Sequence, residues 1–146
     1  RPRPRPPLKG IVTMTHAHSP ALPTPMTPWH YLELRRRAAG LSRAQLAASL
    51  SRLIKTRRRI TPAGAVRAWV DLIERPGVRI INPDNLALLA VALPIDVDVY
   101  NQLATEPAER HPTLCGSCGV ADDAVPVTAG RCRVCRTARR SQRIAA

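Results

Sequence analysis

Acidic residues are missing where this chain is most charged. Ten Asp and Glu stand against 23 Lys and Arg, a formal net charge of +13, and neither residues 1–30 nor residues 131–146 hold an acid. Aromatics are equally few, with two Trp, two Tyr and no Phe. That counts against binding single strands by stacking bases on exposed rings. No stretch approaches the roughly 18 consecutive apolar residues of a membrane-spanning helix, and the basic segments lack the large apolar face of an interfacial one. Ile11–Pro28 is broken by His and Pro before a signal-peptide core forms, so a cytoplasmic, nucleoid-associated protein is expected. There is no nucleophile elbow, phosphate-cradling Gly loop, His-Glu metal helix or helically spaced carboxylate pair. The chain reads as a non-enzyme with no catalytic residues. A field of this sign attracts polyanions, and nucleic acid is the commonest.

What is present centres on Leu34–Leu50, LRRRAAGLSRAQLAASL. Gly40 can take the left-handed conformation that ends a helix, and Ser42 with Gln45 three residues on forms a capping box that starts the next. Two helices joined this tightly cross steeply. They form either the front half of a helix-turn-helix or any other αα-hairpin.

Before this stretch, residues 1–26 form a Pro- and Arg-rich arm, with Met14 or Met26 as the expected start. His16 and His18 lie in it without further metal-binding partners. Thr27-Pro28 is a helix start, with helix one running to about Ala39 and helix two to about Lys55. Thr56–Ile60 is a basic connection, and Thr61-Pro62 is another start. Val66, Trp69, Val70 and Ile73 make one apolar stripe, which predicts a helix over Ala65–Glu74. Pro76-Gly77 closes it, and residues 78–81 are either extended or a buried linker. Asn82-Pro83 opens a fourth helix ended by Pro94, and Asp96 caps a fifth. The expected architecture is mainly α: a five-helix domain over 27–105, a linker over 106–112, a four-cysteine module over 113–137 and a basic tail over 138–146.

RRRAAGLSRAQLAASL resembles the first two helices of Cro/phage-repressor-type (XRE-like, lambda-repressor-like) helix-turn-helix regulators. GAVRAWVDLIERPG is similar to their recognition helix and its Ile-Glu-Arg-Gly ending, and INPDNLALLAVALPIDVDV to their closing helices. The likeness covers Trp29 to Leu103, and the order of parts looks like small bacterial or prophage proteins. It implies a transcriptional regulator that reads double-stranded DNA, usually as a homodimer. Two departures stand out. Ser51–Ala63 separates helices two and three, where the family has about two residues, and Arg35 occupies a position where it commonly has a buried Leu.

If helix three enters the major groove, Arg67 is the candidate for a guanine edge, and Asp71 either accepts from cytosine or pairs with Arg67 or Arg75. Arg57, Arg58 and Arg59 are candidates for phosphates, joined by Arg43 and Lys55 on the same positive face.

All four cysteines fall in two CxxC pairs, Cys115/Cys118 and Cys132/Cys135. Two such knuckles can converge on one tetrahedral four-thiolate site, and the spacing fits a zinc-ribbon or treble-clef-like loop. One structural Zn2+ is expected. It would fold a segment with almost no apolar core and leave no open position for catalysis. Two disulfides, a redox CxxC or an iron–sulfur centre are the competing readings. Asp122-Asp123 reads as a turn. The alternatives to a DNA reader are a protein adaptor, docking through the cysteine module, and a sequence-tolerant RNA binder.

Overall fold

The computed structural model describes residues 25–56, 62–123 and 125–144. Among them are six helices, α1 (Pro28–Ala38), α2 (Arg43–Thr56), α3 (Ala63–Ile73), α4 (Pro83–Ala92), α5 (Val97–Thr105) and α6 (Arg133–Ile144), and a two-stranded hairpin of β1 (Val127–Thr128) and β2 (Arg131–Cys132). The mainly α architecture is therefore as expected. The proposed phosphate contacts Arg57, Arg58 and Arg59, residues 1–24 of the arm with its histidines, and Thr61 lie outside the described residues, whereas Met26 at the end of the expected arm packs against the helical core.

The α1–α2 turn forms by the two devices legible in the sequence. Gly40 has φ +69°. Gly40 N–H donates to the Arg37 carbonyl (2.9 Å) and Leu41 N–H to the Arg36 carbonyl (3.1 Å), the paired bonds of a Schellman ending. Ser42 Oγ accepts from Gln45 N–H (3.2 Å), while Gln45 Oε1 accepts from Ser42 N–H (2.8 Å), a reciprocal capping box. Asn82 and Asp96 cap α4 and α5 through their side chains as the sequence suggests. Thr27 precedes α1 without a side-chain cap, and Pro62 rather than Thr61 stands at the start of α3.

The core is the meeting of these helices' apolar stripes. Leu46 and Leu50 of α2, Val66, Val70 and Ile73 of α3, Leu86 and Leu89 of α4, and Val99, Tyr100 and Leu103 of α5 are all buried, with Tyr31 and Leu32 of α1 closing the far side. Trp69 packs at the margin of this core. Each buried Tyr finds a polar partner in a loop. Tyr31 Oη accepts from Asp96 N–H (2.9 Å), and Tyr100 Oη accepts from Ile80 N–H (2.8 Å). Residues 78–81 are consequently a half-buried linker rather than a strand, with Ile80 turned inward and Ile81 exposed.

Two boundaries differ from expectation. The Ser51–Ala63 separation is shorter than its sequence suggests, because Leu53 and Ile54 hold α2 in helix to Thr56 and α3 already begins at Ala63. The connection over 106–112 contains one 3-10 turn, Ala108–Arg110. Beyond it, Leu114 and Ala121 pack against the helical core, so the cysteine module shares that core.

Candidate metal centre and basic helical face

The first cysteine pair sits on a turn clamped by backbone bonds. Leu114 pairs with Ala121 in an isolated antiparallel bridge, Cys115 N–H donates to the Val120 carbonyl (2.9 Å), and Gly119 N–H donates to the Cys115 carbonyl (2.7 Å). The second pair straddles a junction. Cys132 ends β2 and Cys135 lies in the first turn of α6. A zinc ribbon would carry both pairs on hairpin turns. Here only the first pair sits on a turn between bridged segments, and the second opens a helix. Gly116 N–H donates to the Gly130 carbonyl (2.9 Å), which ties the knuckle to the hairpin turn. The Asp122 carboxylate accepts from Val127 N–H, so the Asp122-Asp123 turn anchors the start of the hairpin.

These supports bring the four sulfur atoms within 4.8 Å of one another. Cys118 and Cys132 Sγ are 3.7 Å apart, close to the ~3.8 Å edge of a tetrahedron with 2.3 Å metal–sulfur bonds. All four are free, and no disulfide links them. Burial pushes the Cys115 thiol upward, but N–H groups of Cys132, Ser117 and Cys118 outweigh it and bring the pKa down to about 6. Cys118 and Cys135 move up, through burial and through neighbouring thiols that resist a second and third negative charge. A set of soft donors that share a site in this way fits a thiophilic cation.

The module is bolted to α1 by a residue whose role the sequence does not announce. Arg35 Nε and Nη2 donate to the Pro94 carbonyl (2.7 and 2.5 Å), and Nη1 donates to the Cys118 carbonyl (3.1 Å). Gly119, at φ +72°, lies against the same side chain. A Cβ there would sit 3.1 Å from Arg35 Cδ and 3.2 Å from Tyr31 Cδ2. At a position read as a departure from a buried Leu, Arg35 joins α1, the α4–α5 loop and the cysteine knuckle.

The helical basic face is thinner than the run of arginines suggests. Arg36 is buried, its Nε and Nη2 on the two oxygens of Glu74 (2.5 and 2.9 Å) and its Nη1 on the Leu41 carbonyl (2.7 Å). Arg43 Nε also donates to Glu74 (2.7 Å), and Arg37 pairs with Glu33 (2.7 Å). Burial alone would raise the Glu74 pKa, but the bonds and charges of Arg36 and Arg43 hold it below the ordinary value. Of the proposed DNA contacts, Arg43 thus sits beside a carboxylate, and Arg67 pairs with Asp71 (3.0 Å) on the outer side of α3. Lys55 is exposed in the last turn of α2. His30 lies 3.4 Å from Glu33, and His111 Nε2 lies 2.9 Å from the Glu106 carbonyl.

No protein-family model, no curated protein and no solved structure matches the chain. No helix among the described residues is long and apolar enough to cross a membrane.

Proposed function

We propose that this chain is a bacterial or phage DNA-binding regulator that reads double-stranded DNA with α3 and holds one structural Zn2+ on Cys115, Cys118, Cys132 and Cys135. The observation that carries the reading is the outer side of α3. Val66, Val70 and Ile73 face the core, which leaves Arg67, Ala68 and Leu72 uncovered on the opposite side. That side follows directly on the acid-free, base-rich segment from Arg35 to Arg59. Gly64, Ala65 and Ala68, exposed on the same helix as Arg67, are small enough to let it approach base edges closely. In this scheme Arg67 exchanges its exposed Asp71 partner for guanine, Asp71 turns to cytosine, and Arg43, Lys55, Arg57, Arg58 and Arg59 contact phosphates. A homodimer on paired half-sites fits the same reading. Zn2+ suits a closed four-thiolate site, and its role here is to fold the module.

A protein adaptor is the second reading, favoured by the neutralising Arg67–Asp71 pair and by Leu72, 44% exposed on the same helix. Selection of random duplex DNA by the metal-loaded full chain separates the two. A regulator enriches a motif bound roughly a thousandfold more tightly than random DNA. On that motif Arg67→Ala costs about 1–3 kcal/mol and relaxes one base position, while it leaves random-duplex binding unchanged. Failure to enrich any motif gives the adaptor the lead.

A further inference from the structure

The last helix is a second polyelectrolyte element that the recognition helix does not require. α6 spans Arg133–Ile144 and contains five arginines, at 133, 136, 139, 140 and 143, with no acid. At about 100° per residue these five positions fall within an arc of about 120°. The rest of the circumference carries Val134, Thr137, Ala138, Ser141 and Gln142, together with Cys135 at the metal centre. Such a face is unfavourable by itself, because Arg133/Arg136, Arg136/Arg140 and Arg139/Arg143 are like charges at helical contact spacing.

Among the side chains described in α6, packing does not offset this repulsion: Arg133, Val134, Arg136, Thr137 and Ala138 are exposed, and Cys135 is partly covered. A helix of twelve residues is marginal in water even with favourable side chains. Three anchors hold α6 in place: β2 leads straight into it, Cys132 closes that strand, and Cys135 lies in its first turn. The result is a rod about 18 Å long, fixed at one end by the thiolate cluster, with five arginine positions along one side of the helix.

We infer that α6 is a second DNA-contacting element, which lays its arginine stripe along the phosphate backbone of the duplex whose bases α3 reads. The inference rests on the DNA reading above and adds the surface that supplies sequence-independent grip. Charge complementarity identifies the occupant. Guanidinium groups pair bidentately with phosphate oxygens, and duplex phosphates are spaced closely enough for a single stripe to engage several at once. Neutralisation of the stripe removes the repulsion within α6, so binding and helix order reinforce one another.

The test is the salt dependence of random-duplex binding by the metal-loaded full chain. Arg139, Arg140 and Arg143 lie beyond the cysteine turn, so their joint replacement by Gln leaves the thiolates untouched. If each arginine neutralises one phosphate, the slope of log affinity against log salt falls in magnitude by about 0.9 per residue, nearly 3 in all. Random-duplex affinity at low salt falls at least tenfold with it. Replacement of the same three by Lys keeps the charge and retains most of the slope. A Gln variant with the parent's slope means that duplex DNA is not the occupant, and the inference falls. The two readings fail separately. A parent that selects no motif overturns reading by α3 and leaves the slope comparison decisive, whereas a motif preserved with an unchanged slope overturns only the role of α6.

Discussion

Arg35 and Arg36 are neighbours in sequence with opposite surroundings. Arg36 is buried against a carboxylate, and Arg35 bonds only carbonyls of two other segments. Nothing in the run Arg35-Arg36-Arg37 distinguishes the three. Helical phase supplies the difference, because Arg36 falls beside buried Leu32 on the inward side of α1 while Arg37 remains in solvent. Glu74 was legible only as part of a helix ending, yet it gathers Arg36 and Arg43 across three helices. Replacement of one partner of a buried pair leaves an uncompensated charge, so Glu74→Gln is expected to cost about 3–5 kcal/mol in urea unfolding at neutral pH. The pH dependence has a definite sign. The folded-state pKa lies below the ordinary 4.5, so the stability that Glu74 contributes is complete above 4.5 and disappears as pH falls through the lowered value. The gap between parent and Glu74→Gln must therefore narrow in acid. A gap constant down to pH 2 would refute the assignment.

Among the elements, those with a complete local signal could be read directly. Gly40, Ser42 and Gln45 define the α1–α2 turn by themselves, and Asn82 and Asp96 announce their helices, because caps depend only on residues within a turn of one another. α6 is not legible as a helix, since its residues divide between the expected cysteine module and the expected basic tail and its start depends on where Cys132 and Cys135 are held. The hairpin was likewise hidden. Its turn places Ala129 at φ +51° and Gly130 at φ +72°, the two positive values that a type I′ turn needs. Gly accepts that conformation freely, but Ala does not. Ala129→Asn, with a side chain tolerant of this region, is expected to stabilise the module by about 0.5–1 kcal/mol. Thermal melts that show no gain, or a loss, would contradict the turn assignment.

At the scale of the molecule, the order of helices and the four-cysteine set were legible, and their mutual dependence was not. Motif spacing predicts that four thiols meet; it says nothing of Leu114 and Ala121 entering the helical core or of Gly119 resting on Tyr31 and Arg35. These contacts make a prediction about metal removal. A chelator strong enough to strip the thiolates is expected to disorder the module and, through Arg35, to lower the melting temperature of the five-helix unit by several degrees. Calorimetry with and without chelator checks this, and a helical transition that stays at the same temperature would show the two parts to be independent. The link at Arg35 also bears on biogenesis. Its partner Cys118 follows it by 83 residues, so α1 remains without one of its anchors until that intervening stretch has been translated. During that interval the nascent protein depends on loop closure at long range, the slowest kind of contact to form. In the metal-bound form proposed above, the supply of that cation then sets how soon newly made copies mature.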